Sequence, residues 1–146
     1  LRVVDLGCGN GILGAEAGRR GAEHVTFTDD SALALTAARH TWRGVCQSTP
    51  SPVGEATFEH ADAGDGLPAG EADIVLCNPP FHVGHTQPTA IADAILLGSR
   101  RLLRRGGTLR LVGNRNLRHE TRAPRVLTGV RVIHDDGRFS VLRARR

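Results

Sequence analysis

The centre of this chain reads Asp73-Ile74-Val75-Leu76-Cys77-Asn78-Pro79-Pro80-Phe81-His82, and the rest of the sequence is arranged around it. Ile74, Val75 and Leu76 form a short apolar run with β-branched members, which is typical of a strand covered on both faces. Pro79 and Pro80 lack an amide hydrogen and restrict the backbone around them. The segment therefore predicts a buried strand that ends in a stiff loop.

This loop carries groups that suit a planar ligand bearing an NH₂ group. The Asn78 side-chain oxygen and the carbonyls of Asn78 and Pro79 can accept its hydrogens, and the Phe81 ring can stack on its face. A pair of prolines also occurs at ordinary strand ends. Taken alone, the motif leaves a binding role and a purely structural role open.

Strand and helix patterns alternate along the chain. Predicted strands cover Leu1–Leu6, Val25–Thr28, Ala56–His60, the central segment and Thr108–Gly113, and predicted helices cover Ile12–Arg20, Ser31–Arg43 and Pro88–Arg105. Two alternating runs, Val130–His134 and Phe139–Ala144, flank a turn and predict a hairpin. This order indicates an α/β domain, with a mostly parallel seven-stranded twisted sheet, helices on both faces and a C-terminal antiparallel hairpin.

Polar residues follow the predicted parallel strands. Asp29, Asp62, Asn78 and Asn114 each come at or just after the end of a strand. Ligands of such sheets bind beyond the carboxyl ends of the strands. The sequence therefore predicts a binding site at this edge.

Composition and length are those of a single globular domain over residues 1–146, and the abrupt start on a strand suggests a fragment of a longer chain. No apolar run is long enough to cross a bilayer. Cys8, Cys46 and Cys77 are sparse and lack metal-ligand spacing, so we expect reduced thiols, no metal site and a cytoplasmic protein.

The charge is unevenly distributed. Up to Ser99 there are 5 Arg against 12 acids, and from Arg100 onward there are 14 Arg against 3 acids, with no Lys anywhere. Such an asymmetry suggests a polyanionic partner for the C-terminal third. The competing explanation is that an arginine-rich genome places arginines on a solvent-exposed surface.

The first strand runs into a glycine turn, Asp5-Leu6-Gly7-Cys8-Gly9-Asn10-Gly11. Glycines let the backbone turn sharply and approach a ligand closely. The spacing is G-x-G-x-G and not the dinucleotide pattern G-x-G-x-x-G, and a carboxylate at Asp5 would repel a phosphate. An adenosine with a cationic amino-acid tail fits better, with Asp5 attracting the ammonium through water.

Two further carboxylates complete the expected cofactor site. Asp29 is placed to accept from both ribose hydroxyls, and Asp62 could accept from the adenine amino group. Asp62 could instead cap a turn, and Asp29 could belong to a solvated Asp-Asp turn, a role that suits Asp30 better.

These motifs together resemble class I S-adenosylmethionine-dependent methyltransferases, which have a Rossmann-like fold. The Asn78-Pro79-Pro80-Phe81-His82 loop is similar to that of enzymes that methylate planar amines. Further segments, Gly106–Val112, Asn114–Leu117 and Arg138–Ala144, resemble the C-terminal catalytic domain of bacterial ribosomal RNA guanine-N2 methyltransferases. Those enzymes carry an additional N-terminal domain that helps to bind RNA, which this sequence lacks.

The resemblance implies that a guanine amino nitrogen attacks the sulfonium methyl of S-adenosylmethionine. Asn78, Pro79 and Phe81 would form the catalytic set, and Pro80 and His82 would contact the RNA. The cofactor set would comprise Asp5, Gly7, Cys8, Gly9, Gly11, Asp29, Asp62 and Asn78.

The arginines divide by topology. Arg100, Arg101, Arg104 and Arg105 are expected to end a helix far from the chemistry, where they suit the helix dipole. Four others should lie near the active edge and are the candidates for phosphate contacts, namely Arg115, Arg118, Arg122 and Arg138.

Three alternatives remain open at this stage. The acceptor could be a glutamine side-chain amide or a DNA adenine in place of guanine. The domain could bind cofactor or RNA without catalysis. A nicotinamide-dependent dehydrogenase is disfavoured by the G-x-G-x-G spacing and by Asp5.

Overall fold

Seven strands and four helices make up the described part of the chain, residues 1–79 and 88–146 of the computed structural model. The strands are β1 (Arg2–Leu6), β2 (His24–Asp29), β3 (Glu55–His60), β4 (Ala72–Cys77), β5 (Leu103–Asn114), β6 (Thr128–Asp135) and β7 (Phe139–Arg145). The helices are α1 (Ile12–Arg19), α2 (Ala32–Ser48), α3 (Pro88–Leu102) and α4 (His119–Arg122). Short 3-10 turns at Arg115–Leu117 and Ala123–Arg125 flank α4.

The strands form one sheet in the order β3-β2-β1-β4-β5-β7-β6. Strands β1 to β5 are parallel, and β7 pairs antiparallel with both β5 and β6. The predicted seven-stranded sheet and its C-terminal hairpin are therefore confirmed. All the parallel strands end at the same edge, which brings the residues that follow them together.

Alternate residues of the central strands pack in two separate cores, one on each face of the sheet. Val3 belongs to the core beneath α1 and α2, and Val4 belongs to the core beneath α3. In the first core, the Phe27 ring stacks on Phe58 at 4.8 Å and meets the edge of Trp42 at 5.6 Å. Helices on both faces are thus confirmed.

Two predicted helix ends are wrong. Helix α3 ends at Leu102 and not at Arg105, because Leu103 pairs with Ala72 of β4 and Arg104 and Arg105 lie in β5. The Arg104 side chain donates to Asp73, which further fixes this extended segment. Pairing with β4 outweighs the helical propensity of the arginines.

Helix α2 continues past the predicted end at Arg43 to Ser48. Its apolar stripe continues too, since Val45 packs against the core that contains Trp42. The Thr49 N–H donates to the Val45 carbonyl at 3.0 Å and closes the last turn.

The three cysteines are unpaired, with Cys8 and Cys77 buried and Cys46 exposed on α2. Burial, reinforced by the carboxyls of Asp5 and Asp29, raises the pKa of the Cys8 thiol to about 12. Burial also raises the pKa of Cys77. Over the described ranges, no helix combines the length and the apolar character needed to cross a membrane.

Candidate active site

The turn between β1 and α1 is built by glycines with positive φ, at 66° for Gly7, 52° for Gly9 and 76° for Gly11. Residues other than glycine rarely adopt a positive φ. The Cys8 N–H donates to the Thr28 carbonyl at 2.9 Å, and the Gly11 N–H donates to the Cys8 carbonyl at 2.8 Å. The turn is therefore folded back against the end of β2.

The two sides of this turn differ. A Cβ added to Gly7 or Gly9 would meet nothing within 4 Å, whereas one added to Gly11 would lie 2.8 Å from the Ala38 Cβ on α2. Gly11 is thus required for packing against the protein. Gly7 and Gly9 leave their backbone open to a ligand.

Asp29 ties the turn to the next helix. Its Oδ2 accepts from the Gly9 N–H and its Oδ1 accepts from the Ser31 N–H, each at 2.9 Å. Ser31 in turn caps α2 by accepting from the Ala34 N–H. A carboxylate has about four acceptor positions, so two backbone bonds leave capacity for a ligand hydroxyl.

Asp5 is buried beneath the turn, and its Oδ2 accepts from the Gly14 N–H at 2.8 Å. The pKa of this carboxyl is raised to about 7, chiefly by burial and to a smaller extent by the Asp29 charge, and the hydrogen bond from Gly14 opposes both effects. Sequence reasoning missed Gly14, whose lack of a side chain lets α1 approach the Phe27 ring. A glycine one turn into a helix that follows a glycine turn was the available signal.

A pocket of about 620 Å³ opens at the carboxyl edge of the sheet. This volume lies within the range of about 300–1,000 Å³ typical of small-molecule sites. Five of the predicted cofactor residues line the pocket, namely Gly7, Gly9, Asp29, Asp62 and Asn78. Asp5, Cys8 and Gly11 are buried and do not line the pocket.

Part of the pocket wall was not anticipated from sequence. Helix α3 contributes Ala90, Ile91, Ala94 and Ile95, and Ser31 lies at the start of α2. Ile91 and Ile95 also pack in the core beneath α3. Alanines four residues apart on the same helix were the signal that one stretch of it faces open space.

The predicted catalytic loop is described only at its beginning. Asn78 is exposed and lines the pocket, and Pro79 is buried directly after β4. Pro80, Phe81 and His82 lie outside the described residues. The strand therefore delivers the Asn78 amide to the pocket that contains the glycine turn.

The four predicted phosphate-binding arginines lie in or beside the segments that follow β5 and β6. Arg115 pairs with Asp135 at 3.2 Å, and Arg122 pairs with Asp93 of α3 at 2.9 Å. The Arg138 guanidinium lies over a ring, 5.3 Å from the centroid of Phe139. Arg115 and Arg118 line a second, open cleft of about 510 Å³.

His119 is a further residue that sequence reasoning missed. Its ring is buried against Gly113 at the end of β5, and neither ring nitrogen has a partner among the described residues. Burial lowers the pKa of this imidazole, an effect that the neighbouring Glu120 opposes. Its surroundings therefore favour the neutral form.

Comparison with known proteins gives results that agree with this geometry. A family model described as "Methyltransferase small domain" matches residues 1–143. "Ribosomal RNA large subunit methyltransferase G" from Shewanella pealeana is 40% identical over 147 residues, covering 99% of this chain and 36% of the relative. The protein of the same name from Streptomyces coelicolor is 40% identical over 144 residues, 98% of this chain and 37% of its own length.

Solved structures give the same fold. The Thermus thermophilus 16S rRNA N2 methyltransferase RsmC, in complex with AdoMet and guanosine, has a TM-score of 0.82 at 27% identity over 99% of this chain and 37% of that one. TrmN from Thermus thermophilus has a TM-score of 0.76 at 26% identity, covering 100% of this chain and 44% of that one. The chain spans little more than a third of the length of the curated relatives. It belongs to the methyltransferase small domain family.

Proposed function

We propose that this domain transfers a methyl group from S-adenosylmethionine to an exocyclic amino group, guanine N2 of ribosomal RNA. The observation that carries the proposal is the single pocket that joins the glycine turn and Asp29 to the Asn78 amide. The names of the relatives, and the AdoMet and guanosine in the RsmC complex, support it.

The residues present suit this cofactor. The open backbone at Gly7 and Gly9 admits close approach of a ligand, and the carboxylates of Asp29 and Asp62 face the pocket as acceptors for hydroxyl and amino groups. Asp29 would hold the ribose and Asp62 the adenine amino group. The bound cofactor would supply an electrophilic methyl group.

Asn78 and Pro79 would orient the acceptor nitrogen. The lone pair of a guanine amino group is delocalised into the ring, so the nitrogen is a poor nucleophile. Hydrogen bonds from its two hydrogens to the Asn78 side-chain oxygen and to the Pro79 carbonyl would turn the lone pair outward. The same acceptors would offset the positive charge that develops on the nitrogen.

The remaining assignments concern the RNA. Phe81 would stack on a base turned out of its helix, with Pro80 beside it, and His82 would contact the RNA or the loop, with no strong general base required. The arginines beside the active edge would position the backbone phosphates. A further domain of the parent protein would assist RNA binding, and the protein would act in the cytoplasm.

The decisive experiment is transfer of a radiolabelled methyl group from S-adenosylmethionine to naked ribosomal RNA and to isolated small and large ribosomal subunits. The modified base is then mapped. Label on a guanine N2 of one RNA is the expected result. Label on protein or on adenine would replace the proposed acceptor, and absence of cofactor binding by calorimetry would reject the enzyme assignment altogether.

A further inference from the structure

The strand register places three arginines side by side. Arg110 of β5 is paired with Arg143 of β7, and Arg143 is paired with Arg131 of β6. Directly paired residues project from the same face of a sheet, and neighbouring strands lie about 4.8 Å apart. These residues, hereafter the arginine row, form a line of positive charge across three strands.

The arginine row has no counter-charge within the described part of the chain. Neither Arg110, Arg131 nor Arg143 makes an ion pair or a side-chain hydrogen bond there, and the Nε of Arg143 is buried without a partner. Like charges directly opposite one another destabilise a sheet. An arrangement that opposes folding in this way points to a ligand that offsets the charge.

The row lies on the sheet face opposite the α3 core. Leu109 and Leu111, which flank Arg110, are buried in that core, so Arg110 projects to the other side. Helices α1 and α2 on that side pack over β1 to β4. Arg110 and Arg131 are exposed, whereas Arg143 is half-buried and its Nε is covered, so Arg110 and Arg131 are the most accessible members of the row.

The row begins beside the pocket. Arg110 is paired with Leu76 of β4, two residues before Asn78. A strand rises about 3.3 Å per residue, so the Arg110 backbone lies about 8 Å from that of Asn78. From there the row leads outward to the edge strand β6.

We propose that the arginine row binds consecutive backbone phosphates of the RNA strand that flanks the methylated nucleotide, an inference that rests on the proposed function. Guanidinium groups bind phosphate oxygens through paired hydrogen bonds and remain charged at all relevant pH values. The row would carry no base specificity. It would hold the strand in register while the target base occupies the pocket.

The test compares two matched double variants of the intact protein. Arg110→Gln with Arg131→Gln removes two charges from the row, and Arg43→Gln with Arg100→Gln removes two exposed charges elsewhere. Binding of fluorescein-labelled oligouridylate is measured by anisotropy against salt concentration. A single-stranded contact contributes about 0.7 to the salt slope, so the row variant should lose about 1.4 from the slope and about 20-fold in affinity near 0.1 M salt.

Arg110→Lys with Arg131→Lys retains the charge and should keep most of the salt slope, which separates loss of charge from misfolding. Equal affinity and slope for the row variant and the control variant would overturn the proposal. So would poly-L-glutamate that binds the wild type more tightly than oligouridylate does and loses this binding in the row variant, because the row would then dock an acidic protein segment. Wild-type cofactor binding and methyl transfer, measured in parallel, separate these results from failure of the proposed function.

Discussion

The two halves of the sheet handle charge in opposite ways. In the half formed by β1, β2 and β3, the carboxylates of Asp5 and Asp29 accept hydrogen bonds from backbone amides and are locked in place. In the half formed by β5, β6 and β7, several arginines lie exposed without an acidic partner in the described segments. The first half supplies the pocket with a hydrogen-bond acceptor held in a fixed position. The second is suited to a long, flexible anion.

Asn78 stands between these halves, and its removal gives the largest expected effect. Asn78→Ala should lower the rate of methyl transfer about 1,000-fold, because one acceptor that orients the amine and offsets its charge is lost. S-adenosylmethionine affinity, measured by calorimetry, should stay close to that of the wild type. Retained turnover would remove Asn78 from the catalytic set.

In the half formed by β1, β2 and β3, the buried Asp5 makes the free energy of unfolding depend on pH. The folded-state pKa of about 7 exceeds the ordinary value of 3.8, so the folded protein holds a proton that the unfolded chain has released. The free energy of unfolding should therefore fall as the pH rises from about 4 to about 7, by up to about 4 kcal/mol.

Asp5→Asn can still accept from the Gly14 N–H and has no proton to lose, so this part of the decline should vanish. Urea unfolding at several pH values measures it. Parallel curves for the wild type and Asp5→Asn would show that the pH dependence arises elsewhere.

The glycine turn allows binding and packing to be separated within the same half. Gly11→Ala should lower the free energy of unfolding by about 3 kcal/mol, since its methyl group would collide with Ala38. Gly9→Ala shares only the strain of a positive φ, about 1 kcal/mol, and places its methyl in open space.

Gly9→Ala should therefore lose mainly cofactor affinity, and Gly11→Ala mainly stability. Thermal unfolding and calorimetric titration of both variants test the contrast. Equal stability losses with unchanged cofactor affinity would contradict it.

The arginines beside the edge should give the smallest effects. Arg115→Gln with Arg118→Gln should weaken RNA binding about threefold to tenfold near 0.1 M salt and reduce its salt slope by about 0.5 to 1. Arg122→Gln should also weaken binding and lower the free energy of unfolding by up to about 1 kcal/mol, because its ion pair with Asp93 is lost. An unchanged salt slope would show that these arginines are surface charges that do not contact the RNA.

The spacing of the apolar residues and the positions of the turn and capping residues were enough to predict the sheet. Apolar runs separated by glycine, proline and capping residues predicted every strand, and the order of elements predicted the parallel arrangement. The end of α3 was mispredicted because helical propensity and strand pairing compete at Arg104 and Arg105, and only the partner strand β4 shows which prevails.

The site was foreseen in part for a related reason. Strand ends converge at one edge of a parallel sheet, so Asp29, Asp62 and Asn78 were predictable as neighbours. The arginine row depends on the register between β5, β7 and β6, which a single sequence does not encode locally. The burial of His119 depends likewise on Gly113 being free of a side chain.

The cysteines offer a practical consequence. Only Cys46 presents an accessible sulfur, since the other two thiols are buried and their raised pKa values suppress the reactive thiolate. Cys46 lies 12 residues beyond Ala34, a residue of α2 that lines the pocket, and a helix rises about 1.5 Å per residue, so a dye there would lie about 18 Å from the pocket. Maleimide labelling of this domain would thus provide a single-site fluorescent reporter without mutagenesis.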